Sequence, residues 1–463
     1  MAELAELERD EVEFVEDEPQ GLTEFPHMME DQGVLVPHAP SDVAATGIDS
    51  GYLAELALKI AHRVPQCSTK WVAEQMRLPM PVVEDLMMGM KQDHLVDVVG
   101  REGPFNHRFA VSARGHERAL QSMSVSRYVG PAPVSLELYS AMIELHQAEC
   151  PEITFEDVQG ALSSLVLPEE DVVITAAAVI SQRSLFLFGA AGNGKTSIAR
   201  LLHEAIEGEL WIPYAIAVDS DVIQLFDPQV HSVSNFQPSE PWKADQRWVR
   251  IRRPLIVTGG EMTLESLELS FTRSQGFYEA PLHVKANGGT FVIDDFGRQR
   301  VDPWALLNRW IIPMEHGFDY LTLQTGRKLT VPFQQMLVVA TNIDPDKVMD
   351  PAFLRRMGYR VHVATPSPNR YREIFEAYAH RCHVSVPEGL VDRLLQRYGT
   401  EGRELRCCEP RDLIGRTRDI CLLRRQPLEL NDELLELAWC GYFGTKRSNI
   451  PPTTVMPVAG GPV

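Results

Sequence analysis

The sequence lacks the features that mark membrane and secreted proteins. Its longest apolar run, Val172–Ile180 (VVITAAAVI), is shorter than the roughly 20 residues that a membrane-spanning helix needs. The first residues are acidic rather than apolar, so we expect no secretory signal. The seven cysteines form no CxxC pair and no Cys/His metal spacing. We therefore expect reduced thiols and a cytoplasmic location.

Basic residues are scarce relative to acidic ones: 44 Lys and Arg face 64 Asp and Glu, which gives a net charge of −20. Residues 1–50 contain fourteen acidic residues, one arginine and few aromatic residues, so we expect residues 1–49 to form a disordered acidic tail. This tail either solubilises the protein or pairs with a basic surface of the same chain until a partner displaces it. Residues 445–463 are predicted to form a second disordered tail.

The most informative motif is a glycine-rich octet, Gly189–Thr196 (GAAGNGKT), which matches GxxxxGK[ST]. An apolar run, Ser184–Phe188, precedes it and an amphipathic stretch, Lys195–Glu207, follows it. A strand, a glycine-rich turn and a helix N-terminus together form a cradle for phosphate. Lys195 is predicted to reach the β- and γ-phosphates of ATP, and Thr196 to hold Mg²⁺. The predicted nucleotide-binding residues are Gly189, Ala190, Ala191, Gly192, Asn193, Gly194, Lys195, Thr196 and Ser197.

Residues 50–129 show helical periodicity followed by two short strands. The predicted helices are Tyr52–Ala61, Ser68–Met76, Val82–Gln92 and Arg114–Ser122, and the predicted strands are Leu95–Val99 and Arg108–Ser112. This order is typical of a winged-helix domain. In the helix at the recognition position, Glu84, Asp85 and Asp93 outnumber the single cation Lys91. Because DNA affinity depends on cations, we favour protein docking or packing over DNA binding.

The rest of the chain predicts an α/β domain followed by a helical one. Apolar runs without alternation, typical of parallel strands covered on both faces, occur at residues 184–188, 211–218, 290–293, 336–340 and 359–363. Residues 367–444 are helical by period and form a predicted lid on the preceding domain. The predicted architecture is therefore a winged-helix domain at 50–129, a doubly covered P-loop domain at 130–366 and the lid. Gly130–Ser135 is a predicted hinge, and the sequence contains no internal repeat.

Polar residues end two of the buried strands. Gly288–Asp295 (GGTFVIDD) places Asp294 and Asp295 directly after one strand, where a carboxylate beside a phosphate loop can hold Mg²⁺. Asp294 is the predicted metal residue, and Asp295 is predicted to orient and deprotonate the attacking water. Asn342 follows the strand Met336–Ala340 and is predicted to hydrogen-bond this water or the γ-phosphate. A lone Asn after a strand is otherwise an ordinary turn residue.

Arginines supply the remaining candidates. Arg355 and Arg356 lie in the stretch DPAFLRRMGYR, where a solvated helix face competes with an arginine finger given across a subunit boundary. We prefer the finger, with Arg356 ahead of Arg355. Arg411 lies at the start of a helix that opens with EPRDLIG and is predicted to reach the γ-phosphate from the lid, although a plain surface arginine remains an alternative.

In this order the motifs resemble those of the AAA+ ATPases, over roughly residues 130–443. The resemblance implies a Walker A motif at 189–196, a Walker B motif that ends at Asp294 and Asp295, and sensor 1 at Asn342. It also implies an arginine finger at Arg356 and sensor 2 at Arg411. One position departs from the family pattern, because the second Walker B acid is usually Glu and here is Asp295. The shorter side chain implies slow turnover.

A second resemblance narrows the clade. Asp319–Val331 alternates around Thr325-Gly326 and predicts a β-hairpin just before the strand at 336–340. This is similar to the pre-sensor-1 hairpin clade, which includes MoxR-like ATPases, magnesium chelatase subunits and bacterial enhancer-binding activators. The GAFTGA loop of the activators is absent, so their function is not implied. The resemblance implies hairpins that line a central pore, with Tyr320, Leu321 and Phe277 as candidate client contacts or as core residues.

The favoured function is an ATPase that hydrolyses Mg-ATP as a homo-oligomeric ring, for which we expect a hexamer, and that remodels a protein partner. The winged helix and the acidic tail are expected to recruit or gate this partner. The alternative is a slow nucleotide-gated regulator that binds DNA through the winged helix. A third interpretation is a scaffold that no longer hydrolyses ATP.

Overall fold

The computed structural model describes residues 26–150, 152–345 and 355–444. The prediction of a disordered tail is wrong for residues 26–49, because strands β1 (Met28–Asp31) and β2 (Val34–Pro37) form an antiparallel hairpin. Val36 is fully buried, and the indole Nε1 of Trp211 donates a hydrogen bond to the Leu35 carbonyl at 2.9 Å. The acidic residues are concentrated in residues 1–25, so the apolar stretch VLVP can fold onto the core. Residues 1–25 and 445–463 lie outside the described residues.

The next part of the chain, residues 50–125, consists of four helices and a small antiparallel sheet of order β3-β5-β4. The elements are α1 (Ser50–Ala61), β3 (Cys67–Ser68), α2 (Thr69–Met76), α3 (Met80–Gln92), β4 (Val96–Gly103), β5 (Asn106–Val111) and α4 (Ala113–Val125). Helices α1, α2 and α4 each begin at a polar N-cap, Asp49, Ser68 or Ser112, whose side chain accepts a backbone N–H three residues later. The apolar faces of the helices enclose Phe109 in one core.

The predicted hinge at residues 130–135 is wrong, because the end of this segment belongs to a second sheet. Its order is β13-β14-β10-β9-β6, formed by β6 (Val134–Ser135), β9 (Ala215–Val218), β10 (Asp221–Gln224), β13 (Ser270–Thr272) and β14 (Phe277–Glu279). Val134 is fully buried. The buried Arg247 donates hydrogen bonds to the carbonyls of Thr46 and Pro133 and pairs with Asp245. The segment is therefore a fixed connection between the helical unit and the rest of the molecule.

The main sheet is a five-stranded parallel sheet of order β12-β15-β18-β7-β19. Its strands are β7 (Leu185–Phe188), β12 (Leu255–Thr258), β15 (Thr290–Ile293), β18 (Met336–Thr341) and β19 (Tyr359–His362). The predicted α/β class is confirmed, but the assignment of residues 211–218 to this sheet is wrong. That run splits at Tyr214 between β8 (Glu209–Pro213), which pairs with β11 (Trp248–Arg252), and β9 of the second sheet. Its place at the sheet edge is taken by β12.

Helices cover both faces of the parallel sheet and bury two separate apolar clusters. They are α6 (Phe155–Leu162), α7 (Glu169–Ile180), α8 (Lys195–Glu204), α9 (Leu282–Lys285) and α10 (Pro303–His316). Helix α5 (Leu136–Ala148) instead packs into the apolar cluster of the second sheet. The predicted hairpin before β18 is present as β16 (Phe318–Thr322) and β17 (Lys328–Pro332), with Gly326 in its turn at φ 84°. It packs on the second sheet, not on the parallel one.

The C-terminal unit is helical, as predicted. It consists of α11 (Pro368–Arg381), α12 (Leu390–Glu401), α13 (Glu409–Leu423) and α14 (Asp432–Phe443), packed around the fully buried Trp439. Among the described residues, no helix has the length and apolar character needed to cross a membrane. The N-terminus of α13 contacts the loop after β7, so the C-terminal unit lies beside the predicted phosphate site.

Candidate phosphate-binding site

The loop between β7 and α8 follows the carboxyl end of a central strand and has an unusual backbone. Gly189, Gly192 and Gly194 take φ angles of 137°, 85° and 93°, which side chains other than glycine rarely adopt. A Cβ on Gly189 would lie 2.3 Å from the Val363 carbonyl, so that position also needs glycine for space. Apart from its chain neighbours, no atom of the described residues lies within 4 Å of the position that a Cβ on Gly194 would take, and helix α8 begins directly after Gly194. Backbone N–H groups and a helix N-terminus at one turn favour an anion.

Lys195 lies within the concave side of the loop. Its Nζ donates hydrogen bonds to the carbonyls of Gly189 and Ala190, each at 2.9 Å, and to Asn342 Oδ1 at 2.7 Å. Burial lowers the pKa of Lys195, whereas the carboxylates of Asp294 and Asp295 act in the opposite direction. The ammonium group is therefore held over the loop by groups that a phosphate oxygen can replace.

Strands β15 and β18 bring the predicted acids and the amide to the same edge. Thr196 Oγ1 donates to Asp294 Oδ2 at 2.7 Å, and Asn342 Nδ2 donates to Asp295 Oδ1 at 3.0 Å. Asp295 has a left-handed φ of 49°, which turns its carboxylate from the strand direction toward Asn342. The side chains of Lys195, Asn342 and Asp295 thus form one hydrogen-bonded chain beside the pair Thr196 and Asp294. The backbone N–H of Asp295 donates to Asp294 Oδ1 at 2.9 Å and joins the two groups.

The residues present fit a magnesium ion that is shared with phosphate. The Thr196 hydroxyl and the Asp294 carboxylate are adjacent oxygen ligands of the kind that Mg²⁺ prefers. In the described part of the chain, no group of three or more His, Cys, Asp and Glu residues could hold a metal by itself. Mg²⁺ commonly completes its octahedral shell with water and substrate phosphate, so one threonine and one aspartate are sufficient protein ligands.

Helix α13 closes over the loop through contacts that the sequence did not indicate. The backbone N–H of Cys408 donates to the Gly192 carbonyl at 2.9 Å, and that of Cys407 donates to Asn193 Oδ1 at 3.4 Å. A Cβ on Gly192 would lie only 2.8 Å from Cys408 Sγ. The positive N-termini of α8 and α13 therefore converge on one loop, which strengthens its preference for an anion.

Arg411 lies in the first turn of α13, three residues beyond the contact with the loop. Its side chain is largely exposed and pairs with Asp412 at 3.0 Å, so it does not take part in the Lys195 network. It belongs to the helix that begins at the loop, but no described contact joins its guanidinium to the other predicted site residues.

Arg356 lies near the N-terminal ends of the parallel strands, whereas the loop after β7 lies at their C-terminal ends. The backbone N–H groups of Gly358 and Tyr359 donate to Ser184, which precedes β7, whereas the phosphate loop follows the end of β7. The four residues of β7 separate the two edges by about 13 Å. Arg356 pairs there with Glu315 at 3.0 Å, close to Arg355. The Arg356 side chain therefore cannot reach the phosphate loop of its own subunit.

The candidate client contacts separate into one exposed and two packed residues. Tyr320 is 43% exposed on hairpin β16–β17, whereas Leu321 is 1% exposed and belongs to the core beneath it. Phe277 packs edge-on against Tyr128 with ring centroids 5.5 Å apart, at the junction with the helical unit. Of the three, Tyr320 is the exposed one, Phe277 is half-buried and Leu321 is buried.

The acidic character of helix α3 is smaller at its surface than in the sequence. Glu84 is buried, where it contacts His107 Nδ1 and accepts a hydrogen bond from Thr69 Oγ1 at 2.5 Å. Asp85 and Asp93 stay exposed, together with Lys91. One of the three acids counted against DNA therefore faces the core and holds strand β5 to α2.

Glu409 links the start of α13 to the core of the C-terminal unit through hydrogen bonds. Its Oε2 accepts hydrogen bonds from Tyr398 Oη at 2.7 Å and from the backbone N–H of Arg406 at 3.0 Å. Burial raises the pKa of Glu409, and Tyr398 and Arg406 oppose this only in part. A carboxyl with a raised pKa stabilises the fold most below its unfolded pKa, and this contribution is lost as pH rises through the folded pKa.

We therefore expect the stability of the C-terminal unit to fall as pH rises from about 4.5 toward neutral. Glu409→Gln keeps an oxygen that accepts both hydrogen bonds and should flatten this dependence. Thermal unfolding of both proteins from pH 4 to pH 8 measures it. Equal slopes for Glu409→Gln and the unchanged protein would show that Glu409 is not the group responsible.

Comparison with known proteins gives only distant similarities. Residues 367–440 match a family model described as a domain of unknown function (DUF8689). No curated protein sequence matches the chain. Among solved structures, the chain is similar to the Thermotoga maritima RuvB Holliday junction branch migration motor, at 15% identity over 62% of this chain and 71% of that chain, with a TM-score of 0.32. It is also similar to Brucella abortus NtrX in complex with ADP, at 12% identity over 62% of this chain and 54% of that chain, with a TM-score of 0.35.

Proposed function

We propose that this chain is an AAA+ ATPase that binds and hydrolyses Mg-ATP. The observation that carries the proposal is the network at the carboxyl edge of the parallel sheet, where Lys195 bonds to Asn342 and Asn342 bonds to Asp295. Beside it, Thr196 bonds to Asp294. Three kinds of group meet here: a cation over a glycine loop, two oxygen ligands suited to a metal, and a carboxylate that can orient water. Phosphoryl transfer needs these groups together.

Each side chain has a role that follows from its position. Lys195 exchanges its three oxygen partners for the β- and γ-phosphate oxygens of ATP, which frees the Asn342 amide oxygen. Thr196 and Asp294 would hold Mg²⁺, which when bound neutralises charge on the phosphates. Asn342 and Asp295 then position the attacking water, and Asp295 accepts its proton. Catalysis is thus mostly positioning and electrostatic stabilisation.

We further propose that the active form is a closed homo-oligomer, with a hexamer as our expectation. Arg356 lies at the N-terminal ends of the parallel strands and cannot reach the phosphate loop of its own subunit. We therefore propose that it contacts the phosphate loop of a neighbouring copy. In a head-to-tail arrangement that closes into a ring, the N-terminal ends of the parallel strands of one subunit can face the C-terminal ends of the strands of the next subunit. Arg356 would then stabilise charge on the transferred phosphoryl group.

Mixing two inactive variants tests the shared site. Arg356→Ala subunits retain an intact phosphate loop, and Lys195→Ala subunits retain an intact Arg356. A mixture should contain some interfaces with both groups, so we expect ATPase activity to return to about a quarter of the unchanged level. Steady-state phosphate release from the mixture measures it. A mixture as inactive as each variant alone would argue against a shared site.

The partner is proposed to be a protein, bound by the helical unit at residues 50–125. The order of its helices and its β4–β5 hairpin support a winged-helix interpretation. Helix α3 exposes two acids and one lysine, a balance that disfavours DNA phosphates. The DNA-binding regulator nevertheless gains some support from the burial of Glu84. Capture of bound proteins by an Asp295→Asn variant in ATP, and ATPase assays with duplex DNA, separate the two. Stimulation by DNA and not by a captured protein would favour the regulator.

A further inference from the structure

The amino edge of the parallel sheet carries a cleft that the proposed chemistry does not explain. It has a volume of about 380 Å³ and lies between the start of β7, the end of α10 and the start of β19. We call it the arginine cleft, because Arg183, Arg355 and Arg356 line it. One wall is apolar and is formed by Pro313, Met314, Phe333, Leu337 and Met357. Gln147, Gln182, Ser184, Gln334 and Gln335 complete the lining, so the cleft combines cations and polar side chains with one apolar wall.

The cations of the arginine cleft are incompletely neutralised. Arg356 pairs with Glu315 at 3.0 Å. Arg183 and Arg355 are exposed and form no ion pair with any described residue. Among the described residues, an anionic segment can therefore pair with Arg183 and Arg355 without displacing an acid from either.

The chain itself contains a segment of matching chemistry outside the described residues. Residues 1–25 contain ten acidic residues and one arginine, and within them Glu11–Glu18 reads EVEFVEDE. Five acids of this octet flank Phe14 and Val15. Carboxylates suit the arginines of the cleft, and an aromatic with a branched apolar neighbour suits its apolar wall.

The length of chain allows this contact. Pro26, where the description of the chain begins, lies twelve positions after Phe14. An extended chain of that length spans about 40 Å. A compact protein of this size has a radius of gyration of roughly 23 Å, so the segment can reach most of the surface of its own subunit.

We propose that residues 11–18 dock in the arginine cleft of the same chain. Phe14 and Val15 pack against Met314 and Phe333, and the flanking carboxylates pair with Arg183 and Arg355. The docked segment covers Arg356 and withholds it from a neighbouring subunit. This last consequence rests on the proposed function, whereas the docking itself does not. The acidic segment is then an internal competitor for the surface that assembly requires.

Direct binding tests the docking without any assay of activity. The receptor is the full chain with Glu11, Glu13, Glu16, Asp17 and Glu18 replaced by the corresponding amides, and the probe is a fluorescein-labelled peptide of residues 1–25. We expect saturable binding by fluorescence anisotropy that weakens steeply between low and high salt. Reversal of both Arg183 and Arg355 to Glu in this receptor should weaken binding about tenfold or more. A Phe14→Ala peptide should bind several-fold more weakly than the original.

Arg418→Glu is the matched control, since Arg418 is an exposed arginine of α13 on a different unit. It should leave peptide affinity unchanged. Circular dichroism of each receptor shows whether a charge reversal has unfolded it, and Arg183→Ala with Arg355→Ala repeats the test with a milder change. No binding to the folded receptor, or equal binding to all receptors, overturns the proposal. If the Arg183 and Arg355 reversals leave peptide binding unchanged but abolish self-association of the chain, the docking proposal is wrong and the cleft binds a second copy instead.

The functional consequence is measured separately. At protein concentrations where the unchanged chain is only partly assembled, the amide-substituted chain should show several-fold higher ATPase activity per subunit. If neither protein hydrolyses ATP while the peptide still binds the cleft, the proposed function fails and the docking stands. If both proteins hydrolyse ATP equally at every concentration, docking does not withhold Arg356 and this part of the proposal is wrong.

Discussion

A chain with Lys195 replaced by alanine should lose ATP binding almost completely. The ammonium group is the cation at the centre of the loop, and Asp294 and Asp295 lie close enough to oppose the lowering of its pKa by burial. Without it, those two carboxylates face the incoming phosphates uncompensated. Charge-assisted hydrogen bonds of this kind contribute about 1.5–3 kcal/mol each, so we expect affinity to fall by at least about 100-fold. Isothermal titration with ATP and Mg²⁺ measures it.

Arg200→Ala is the control for Lys195→Ala, because Arg200 is an exposed cation on the same helix α8. It should bind ATP as the unchanged chain does. The alanine at position 195 removes a side chain that bonds only to loop carbonyls and Asn342, so the sheet should remain folded. If folded Lys195→Ala protein binds ATP with unchanged affinity, the phosphate site has been misplaced and the proposed function with it.

Replacing Asp295 with asparagine should separate binding from hydrolysis. Asparagine tolerates the left-handed backbone at this position and retains an oxygen for the Asn342 amide, so the local structure should persist. It cannot accept the proton of the attacking water. We expect ATP affinity within about twofold of the unchanged chain and a kcat lower by about 10²–10³-fold. Single-turnover phosphate release together with equilibrium binding measures both quantities.

Asp302→Asn provides the comparison, since Asp302 is the N-cap of α10 and asparagine caps a helix equally well. It should leave kcat unchanged. Should Asp295→Asn hydrolyse ATP at the full rate, the proton must go elsewhere, and the role assigned to Asp295 would be wrong. Equal loss in both variants would instead indicate a general effect on the loop after β15.

The local chemistry of the site was readable from residue order. The octet at 189–196 needs three glycines at fixed positions, and the acids and the amide come directly after apolar strands. Parallel strands bring their carboxyl ends to one edge, so the meeting of Asp294, Asp295 and Asn342 with Lys195 follows from the strand assignments alone. The hairpin at 318–332 was equally local, because its turn is fixed by Thr325-Gly326.

Strand partners were less predictable, because apolar composition does not record which sheet a strand joins. The run at 211–218 is as apolar as the central strands, yet it is divided between two antiparallel pairings. Leu255–Thr258 is only four residues long and was overlooked, although it pairs with the strand that leads to Asp294. Burial depends on what packs from other parts of the chain, and the same holds for Val36, Val134 and Leu321.

The sequence by itself determined the glycine loop, the acids and the amide at the ends of buried strands, and the C-terminal helical unit, since each depends on neighbours within a few residues. Only the tertiary structure decided which edge of the sheet each arginine occupies, and that Cys407 and Cys408 hold α13 against the loop. It also decided that Glu84 faces inward and that Arg183 lines the same cleft as Arg356. These relations join residues far apart in the chain, and their distances are set by packing that no local pattern contains.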